Sequence, residues 1–452
     1  MMPVMRELYS PDAYDTTRLP DSWWQASAGE PPEDAPLVAD VTADVAVIGG
    51  GFTGLSAALH LARDFGRRVV VLEAGPLGWG ASGRNGGFCC TGGSKLGWDT
   101  MTRRFGAEET AAFFRSQWEG VALVRQLAAE EGLDIEAQGR GEMLLAHKPN
   151  RLKDLEAEQT DLRRRFGQET ELVDAAGLAA RGMAGPQFHG GLFVPGPFGV
   201  HPLRYAWSLA RAARRHGAMV HGRSPVRAIE DAGAAGLRLV TPHGRVTAAR
   251  VLIATNGYTR DGLHPGLAGR TLPALSSILV TRPLSADELA AQGWRSGDLA
   301  ADTRRLLHYF RLLPDGRFLF GGRGGTRAGA GAARMHRRLE RAFRAMFPAW
   351  SGVPVTHRWN GFVCLALDLH PHLAELPGEP RLSCALAFHG AGVSTGTWTG
   401  RAAAARLAGR PRHYGPVPTF LQTPPPRFPL PDLRLWGLRA AYLHYGILDE
   451  WL

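Results

Sequence analysis

The chain has 452 residues, 44% hydrophobic and 21% charged, a globular balance that excludes a disordered chain and needs no disulfide or metal staples. At about 150 residues per domain, two or three domains are expected. The net charge of +10 is carried by arginine, since Lys95, Lys148 and Lys153 are the only lysines; no basic run is interleaved with aromatics, which excludes nucleic acid as the expected partner.

The four cysteines, Cys89, Cys90, Cys364 and Cys384, form no C-x-x-C pair. Neither a metal site nor a redox dithiol is signalled, and a reducing, cytoplasmic setting is expected. The first thirty residues lack a basic start followed by an apolar run, so no secretory signal is expected. No stretch reaches the roughly eighteen apolar residues of a transmembrane helix.

In chain order, residues 1–43 read as an extended, Pro-rich arm with Trp23 and Trp24 as anchors that dock on a later domain. Residues 44–48 (DVAVI) are apolar without helical period and predict a buried parallel strand. GGGFTG follows at 49–54, then a helical pattern to Gly66 and a second buried strand at 68–72 that ends at Glu73. This is a complete βαβ unit. Residues 75–97 form a long glycine-rich loop. Helices are predicted at 103–131 and 150–181, with a hairpin at 135–147 between them and a strand at 191–194. A helix opens at His201-Pro202 and runs to about His216; strands follow near 219–228, 237–241 and 250–254. Antiparallel strands at 276–284, 305–312 and 317–322 surround a PDG turn at 314–316. After a helix at 334–347 and a strand at 381–387, Gly390 to Gly400 opens a helix reaching Leu407. PVP and PPP breaks then precede an amphipathic helix at 432–451.

The glycine run has a physical logic. Gly49 permits the tight turn, Gly51 lets backbone approach a pyrophosphate, and Gly54 lets helix pack on strand. The helix N-terminus offers N–H groups and a positive dipole end to a diphosphate. Glu73 stands where a carboxylate accepts from ribose hydroxyls, and its charge repels a 2′-phosphate. GASGRNGG (80–87) reads as backbone laid along a cofactor, with Ser82, Arg84 and Asn85 towards the pyrophosphate and Gly86 and Gly87 flat against a ring. IATNGY (253–258) is a turn brought close to it, and FHGAGVSTGT (388–397) is a strand end, a bend and a helix start. That last helix end would stabilise negative charge on a reduced flavin.

With SWW at 22–24, LEAGPLGWGASGRNGGF at 72–88, ATNGYT at 254–259, YFRLLPDGRFLFGG at 309–322 and FHGAGVSTGTWTGRAAA at 388–404, the chain resembles the D-amino acid oxidase-like superfamily of FAD-dependent oxidoreductases. Within it, the chain is most similar to the γ-glutamylputrescine oxidoreductase-like branch, and more distantly to glycine and sarcosine oxidases. The resemblance implies an α/β fold with an α+β cap: a Rossmann-like FAD-binding domain of discontinuous segments (44–100, 190–265 and 358–410), and a second, mostly antiparallel-sheet substrate domain (101–189 and 266–357). Residues 411–452 form the Pro-rich tail and C-terminal helix. The implied reaction is oxidation of a C–N bond in an amine or amino acid. Hydride passes to flavin N5, the imine hydrolyses, and O2 (giving H2O2) or another acceptor reoxidises the flavin. The rival reading is a flavoprotein subunit, or a biosynthetic flavoenzyme for an unusual substrate or one needing a partner protein.

Cofactor contacts are expected from Gly49, Gly51, Phe52, Thr53, Gly54, Glu73, Ala74, Ser82, Arg84, Asn85, Gly86, Gly87 and Val226. Further contacts are expected from Ala254, Thr255, Asn256, Gly361, Gly390, Gly392, Val393, Ser394 and Thr395. Catalytic candidates are His308, Tyr309 and Arg311 on the strand before the PDG turn, with His389 beside the flavin and Tyr258 as a pocket wall. Alternation puts His308 and Phe310 on one face, Tyr309 and Arg311 on the other; either Arg311 or Arg323 suits a substrate carboxylate. Two departures stand out. Sarcosine oxidase-like relatives use a lysine near the flavin; the stretch Phe318 to Gly322 has none and the three lysines lie elsewhere. Cys364 does not have the spacing to Asp368 of a flavin-attaching cysteine, so non-covalent FAD is expected.

Overall fold

A computed structural model describes residues 7–326 and 331–451; residues 1–6 of the arm, 327–330 of the cap and 452 of the tail lie outside the described residues. Two eight-stranded sheets carry the chain. The first runs in the order His372–Leu376, Glu379–Leu386, Arg245–Ile253, Val41–Ile48, Val69–Leu72, Met219–His221, with Leu237–Val240 and Ala228–Asp231 off to one side. Its centre is parallel: Val45 to Ile48 lie opposite Val69 to Leu72 and, on the other side, Arg250 to Ile253. Such strands are buried on both faces, which is why they read as unbroken apolar runs. Helices Phe52–Phe65, Pro202–Arg215 and Ser394–Leu407 bury their small and apolar residues against one face. Leu237, Leu239 and Leu267 are packed against the other.

The second sheet runs Val355–Leu365, Leu272–Pro283, Arg317–Gly325, His308–Leu312, Leu299–Asp302, Gly141–Leu145, Gly190–Pro195, Glu171–Asp174. All its pairings are antiparallel except Leu299–Asp302 with Gly141–Leu145. An aromatic core of Phe310, Phe318, Phe320, Phe343, Phe347 and Trp350 fills its outer side beneath helix Ala332–Met346.

Three expectations are corrected. The hairpin at 135–147 is a single strand, Gly141–Leu145, whose partners come from residues 190–195 and 299–302. The helical stretch 150–181 is interrupted by strand Glu171–Asp174. Gly190–Pro195 and residues 358–365 of strand Val355–Leu365, read with the dinucleotide domain, pair within the second sheet. In each case the deciding partner is remote in sequence, and local pattern is silent about it. The N-terminal arm docks as expected. The Trp24 indole donates to the Asn85 carbonyl (2.8 Å) and its ring meets Trp359, while Trp23 stacks with the Arg317 guanidinium.

Candidate functional site

A cavity of about 1160 Å³ runs between the two sheets, larger than the roughly 300–1,000 Å³ of a single small-molecule site. Glu73, Ala74 and Val226 line one end together with Gly49 to Thr53, Ser82, Arg84 and Asn85; Gly86, Tyr309, Gly361 and Gly390 to Val393 line it further on.

The first end is built from backbone. Helix Phe52–Phe65 starts at Gly51, which has no side chain to cap it, so its positive dipole end faces the cavity that Gly51, Phe52 and Thr53 line. A Cβ on Gly51 would stand 2.8 Å from the Ser82 hydroxyl, and that hydroxyl accepts from the Phe52 N–H (3.0 Å). A Cβ on Gly54 would strike the Gly49 carbonyl; Gly54 is the packing glycine, off the cavity wall. The Glu73 carboxylate accepts from Gly50 N–H (2.7 Å) and Gly75 N–H (3.2 Å), and burial pushes its carboxyl upward. Opposite, helix Ser394–Leu407 starts at Val393, also without a side-chain cap. Ser394 and Thr395 do not line the cavity: the Ser394 hydroxyl donates to the Cys90 carbonyl and the Thr395 hydroxyl to Gln117 Oε1 (2.8 Å). Ala254, Thr255 and Asn256 line the wall between these helix ends, and the Asn256 side chain accepts from Ala387 N–H (2.9 Å), tying the two strand ends together. Two uncapped helix ends, a glycine cradle and a carboxylate fit FAD: one helix end for the diphosphate, the other for a ring that gains negative charge on reduction.

The loop at 80–87 is held by its own side chains. Asn85 Nδ2 donates to the carbonyls of Ala81 and Ser82, and Asn85 Oδ1 accepts from Gly87 N–H. Arg84 donates to the Trp79 carbonyl (2.6 Å) and lies over the Trp79 ring. Gly87 is off the cavity, wedged against the Val200 carbonyl and the Arg311 guanidinium.

Of the catalytic candidates, Tyr309 and Tyr258 line the cavity. The Tyr309 hydroxyl hydrogen-bonds Ser276 Oγ (2.9 Å); Tyr258 is an aromatic wall between Trp79 and Phe362. His308, Arg311 and His389 are not on its wall. His308 is bound to Asp302 (3.0 Å) and stacked on Phe320. Arg311 is 1% exposed, donates to the Val200 carbonyl (2.6 Å), faces the Trp24 ring and is pushed down to about 10 by burial. It clamps the arm and the 198–200 strand end. His389 is wholly buried behind Gly390, with neither ring nitrogen hydrogen-bonded among the described residues, and burial pushes it down to about 3.

The remaining wall is charged, and the sequence reading missed most of it. Lys95, placed elsewhere by that reading, lines the cavity with Arg323, Cys90, Glu142 and Glu158. Burial and the Arg323 charge push the Lys95 ammonium down to about 7, and burial next to Glu158 pushes Glu142 up to about 7. Arg323 makes one hydrogen bond among the described residues, to the His389 carbonyl (3.4 Å). Cys364 also lines the cavity, its thiol pushed up to about 12 by burial.

The FAD dependent oxidoreductase family, DAO, matches residues 44–406. Gamma-glutamylputrescine oxidoreductase of Escherichia coli (strain K12) is 31% identical over 439 residues, covering 96% of this chain and 99% of that protein. Probable oxidoreductase OrdL of Rhizobium meliloti (strain 1021) is 31% identical over 382 residues, 84% of this chain and 86% of its own. Among solved structures, glycine oxidase from Geobacillus kaustophilus shares the fold with a TM-score of 0.69 at 23% identity, over 84% of this chain and 98% of that one. Among the described residues no helix is long and apolar enough to cross a membrane.

Proposed function

This chain belongs to the DAO family of FAD-dependent oxidoreductases, and on that premise we propose that it oxidises a C–N bond of an amine or amino acid to an imine, which water hydrolyses to a carbonyl compound. One observation carries the reading. The backbone cradle and the charged, aromatic wall belong to one continuous cavity, so cofactor and substrate share a chamber from which water is displaced. When bound, FAD supplies the two-electron acceptor for the hydrogen leaving the carbon, and O2 or another acceptor restores it.

The chain's own residues bind and orient. Gly49 to Thr53 and Ser82 hold the diphosphate, Glu73 the adenosine ribose, and Val226 the adenine end. Gly86, Gly361 and Gly390 to Val393 leave room for the ring. Tyr309, fixed by Ser276, and the walls Tyr258 and Phe362 orient the substrate, and Arg323 receives an anionic group. Neutral Cys364 offers no thiolate for a thioether bond, which supports FAD held non-covalently and released by acid denaturation. The four free cysteines support a reducing, cytoplasmic setting. A γ-glutamylated amine, after the E. coli relative's name, is the first substrate candidate.

The test is a single anaerobic turnover of the FAD-loaded protein with γ-glutamylputrescine, glycine or sarcosine, trapping carbonyl product. One carbonyl per reduced flavin is expected with at least one of them. A flavin-loaded protein that yields no carbonyl from any amine or amino acid would overturn the reading.

A further inference from the structure

Off the cavity wall, the chain brings together Asp368, His370 and His372, whose donor atoms, one from each side chain, lie within 4.8 Å of one another. The cysteine pattern signalled no metal site; this turn carries another donor set. His372 opens strand His372–Leu376 at one end of the first sheet, and Asp368 and His370 lie in the turn before it. Leu369, between them, is held at φ 68°, a left-handed conformation costly for a leucine. Its carbonyl accepts from the Ser94 hydroxyl (2.9 Å) and the Lys95 N–H (3.0 Å). The His370 ring is lodged edge-on against Phe105 and Phe420. The His370 and His372 side chains are 3% and 0% exposed and that of Asp368 24%, so the cluster meets solvent on its carboxylate side.

Backbone carbonyls fix the protons of both rings. His370 Nδ1 is 2.9 Å from the Pro371 carbonyl and His372 Nδ1 is 2.8 Å from the Thr423 carbonyl. A carbonyl only accepts, so each Nδ1 carries the hydrogen and each Nε2 of a neutral ring carries a lone pair. Those lone pairs are aimed at Asp368: His372 Nε2 is 3.0 Å from Oδ1 and His370 Nε2 is 3.2 Å from Oδ2. With neutral rings, two acceptors face two acceptors. One added proton satisfies one contact and leaves the other. Two added protons set two positive rings 4.6 Å apart, buried against a single carboxylate. A divalent cation between the three groups satisfies them all. Donors held about 2.0–2.2 Å from a shared ion stand about 3.0–3.5 Å from one another, and an Nδ1–H given to a carbonyl is how metal-bound imidazoles are oriented. A second observation points the same way. His389 follows Leu386, which lies opposite His372 in the sheet, and the His370 and His372 charges act on it. It is 0% exposed with neither ring nitrogen hydrogen-bonded among the described residues, an unspent imidazole beside the three donors.

We propose that Asp368, His370 and His372 bind a divalent transition-metal ion of the zinc type, the class that imidazole and carboxylate donors suit. The ion is structural: its ligands do not line the cavity, and it pins the turn whose Leu369 carbonyl holds the Lys95 segment of the cavity wall. The proposal goes beyond the oxidation reading and does not depend on it.

The probe is zinc ion alone. The FAD-loaded protein is dialysed against micromolar free zinc and the bound metal is counted. One zinc per chain is expected. Its affinity is expected to fall about a hundredfold or more in Asp368→Asn and in His372→Gln, each still loaded with FAD. X-ray absorption at the zinc edge of the native protein is expected to show two imidazole nitrogens, oxygen in the remaining positions and no sulfur, a readout that requires no variant to fold. No zinc retained by the native protein, zinc held equally well by both variants, or a zinc coordinated by sulfur or without imidazole would each overturn the proposal. Failure of the oxidation reading looks different: no amine forms carbonyl product, whatever the zinc count.

Discussion

The two ends of the cavity are made of different material. The end lined by Gly49 to Thr53 is backbone, with one carboxylate at Glu73 and one hydroxyl at Ser82. The end lined by Trp118, Glu142 and Glu158 is side chain, set on helix Ala107–Glu131, strand Gly141–Leu145 and helix Leu152–Phe166. A backbone cradle takes one kind of ligand, and nearly any added atom spoils it. A side-chain lobe can be recut residue by residue; in the proposed function the first end is the cofactor's and the second is free to vary with the substrate.

The sharpest way to break this contrast is Gly51→Val. Its Cβ and methyls meet the Ser82 hydroxyl, and loss of FAD binding by about a hundredfold or more is expected from equilibrium dialysis. Full FAD content in that variant would mean that the cofactor does not lie against this turn. Glu73→Gln keeps an acceptor for Gly50 but loses the charge facing the ribose; FAD affinity is expected to fall roughly tenfold. On the wall where Tyr309 meets Ser276, the cofactor should be indifferent to a lost hydroxyl. Tyr309→Phe removes the hydroxyl bonded to Ser276, and kcat is expected to fall less than about tenfold with FAD content unchanged.

The smallest effect is a stability change. The Glu142 carboxyl is raised from 4.5 to about 7 in the folded chain. Between those pH values the folded state holds a proton that the unfolded state has released, so stability falls as pH rises through that window. Above it the lobe carries its full charge. Glu142→Gln is therefore expected to raise Tm at pH 8 and change it little at pH 4, by thermal melts of the FAD-loaded protein. An unchanged difference across pH would mean that Glu142 does not titrate in this window.

The backbone end was legible in the sequence because its chemistry is local. A strand, a glycine turn, a helix and a carboxylate nineteen residues beyond Gly54 fall within one stretch, from Asp44 to Glu73. The side-chain end was not, because its strand Gly141–Leu145 takes partners from residues 190–195 and 299–302. Two signals were nonetheless present: a glutamate on the Leu155–Leu162 stripe, and another beside Leu144 at an inward-facing position. Strand alternation rightly grouped Tyr309 with Arg311. Yet only Tyr309 reaches the cavity, because Arg311 is taken up by Val200, Gly87 and Trp24, contacts that no local pattern announces.

The most direct test of the central claim is an anaerobic titration of the FAD-loaded protein with amines and amino acids, followed in the visible flavin band. Bleaching that saturates at one substrate per flavin is the result expected of a cavity in which cofactor and substrate meet. A protein that takes up FAD and stays yellow with every amine and amino acid offered would contradict it.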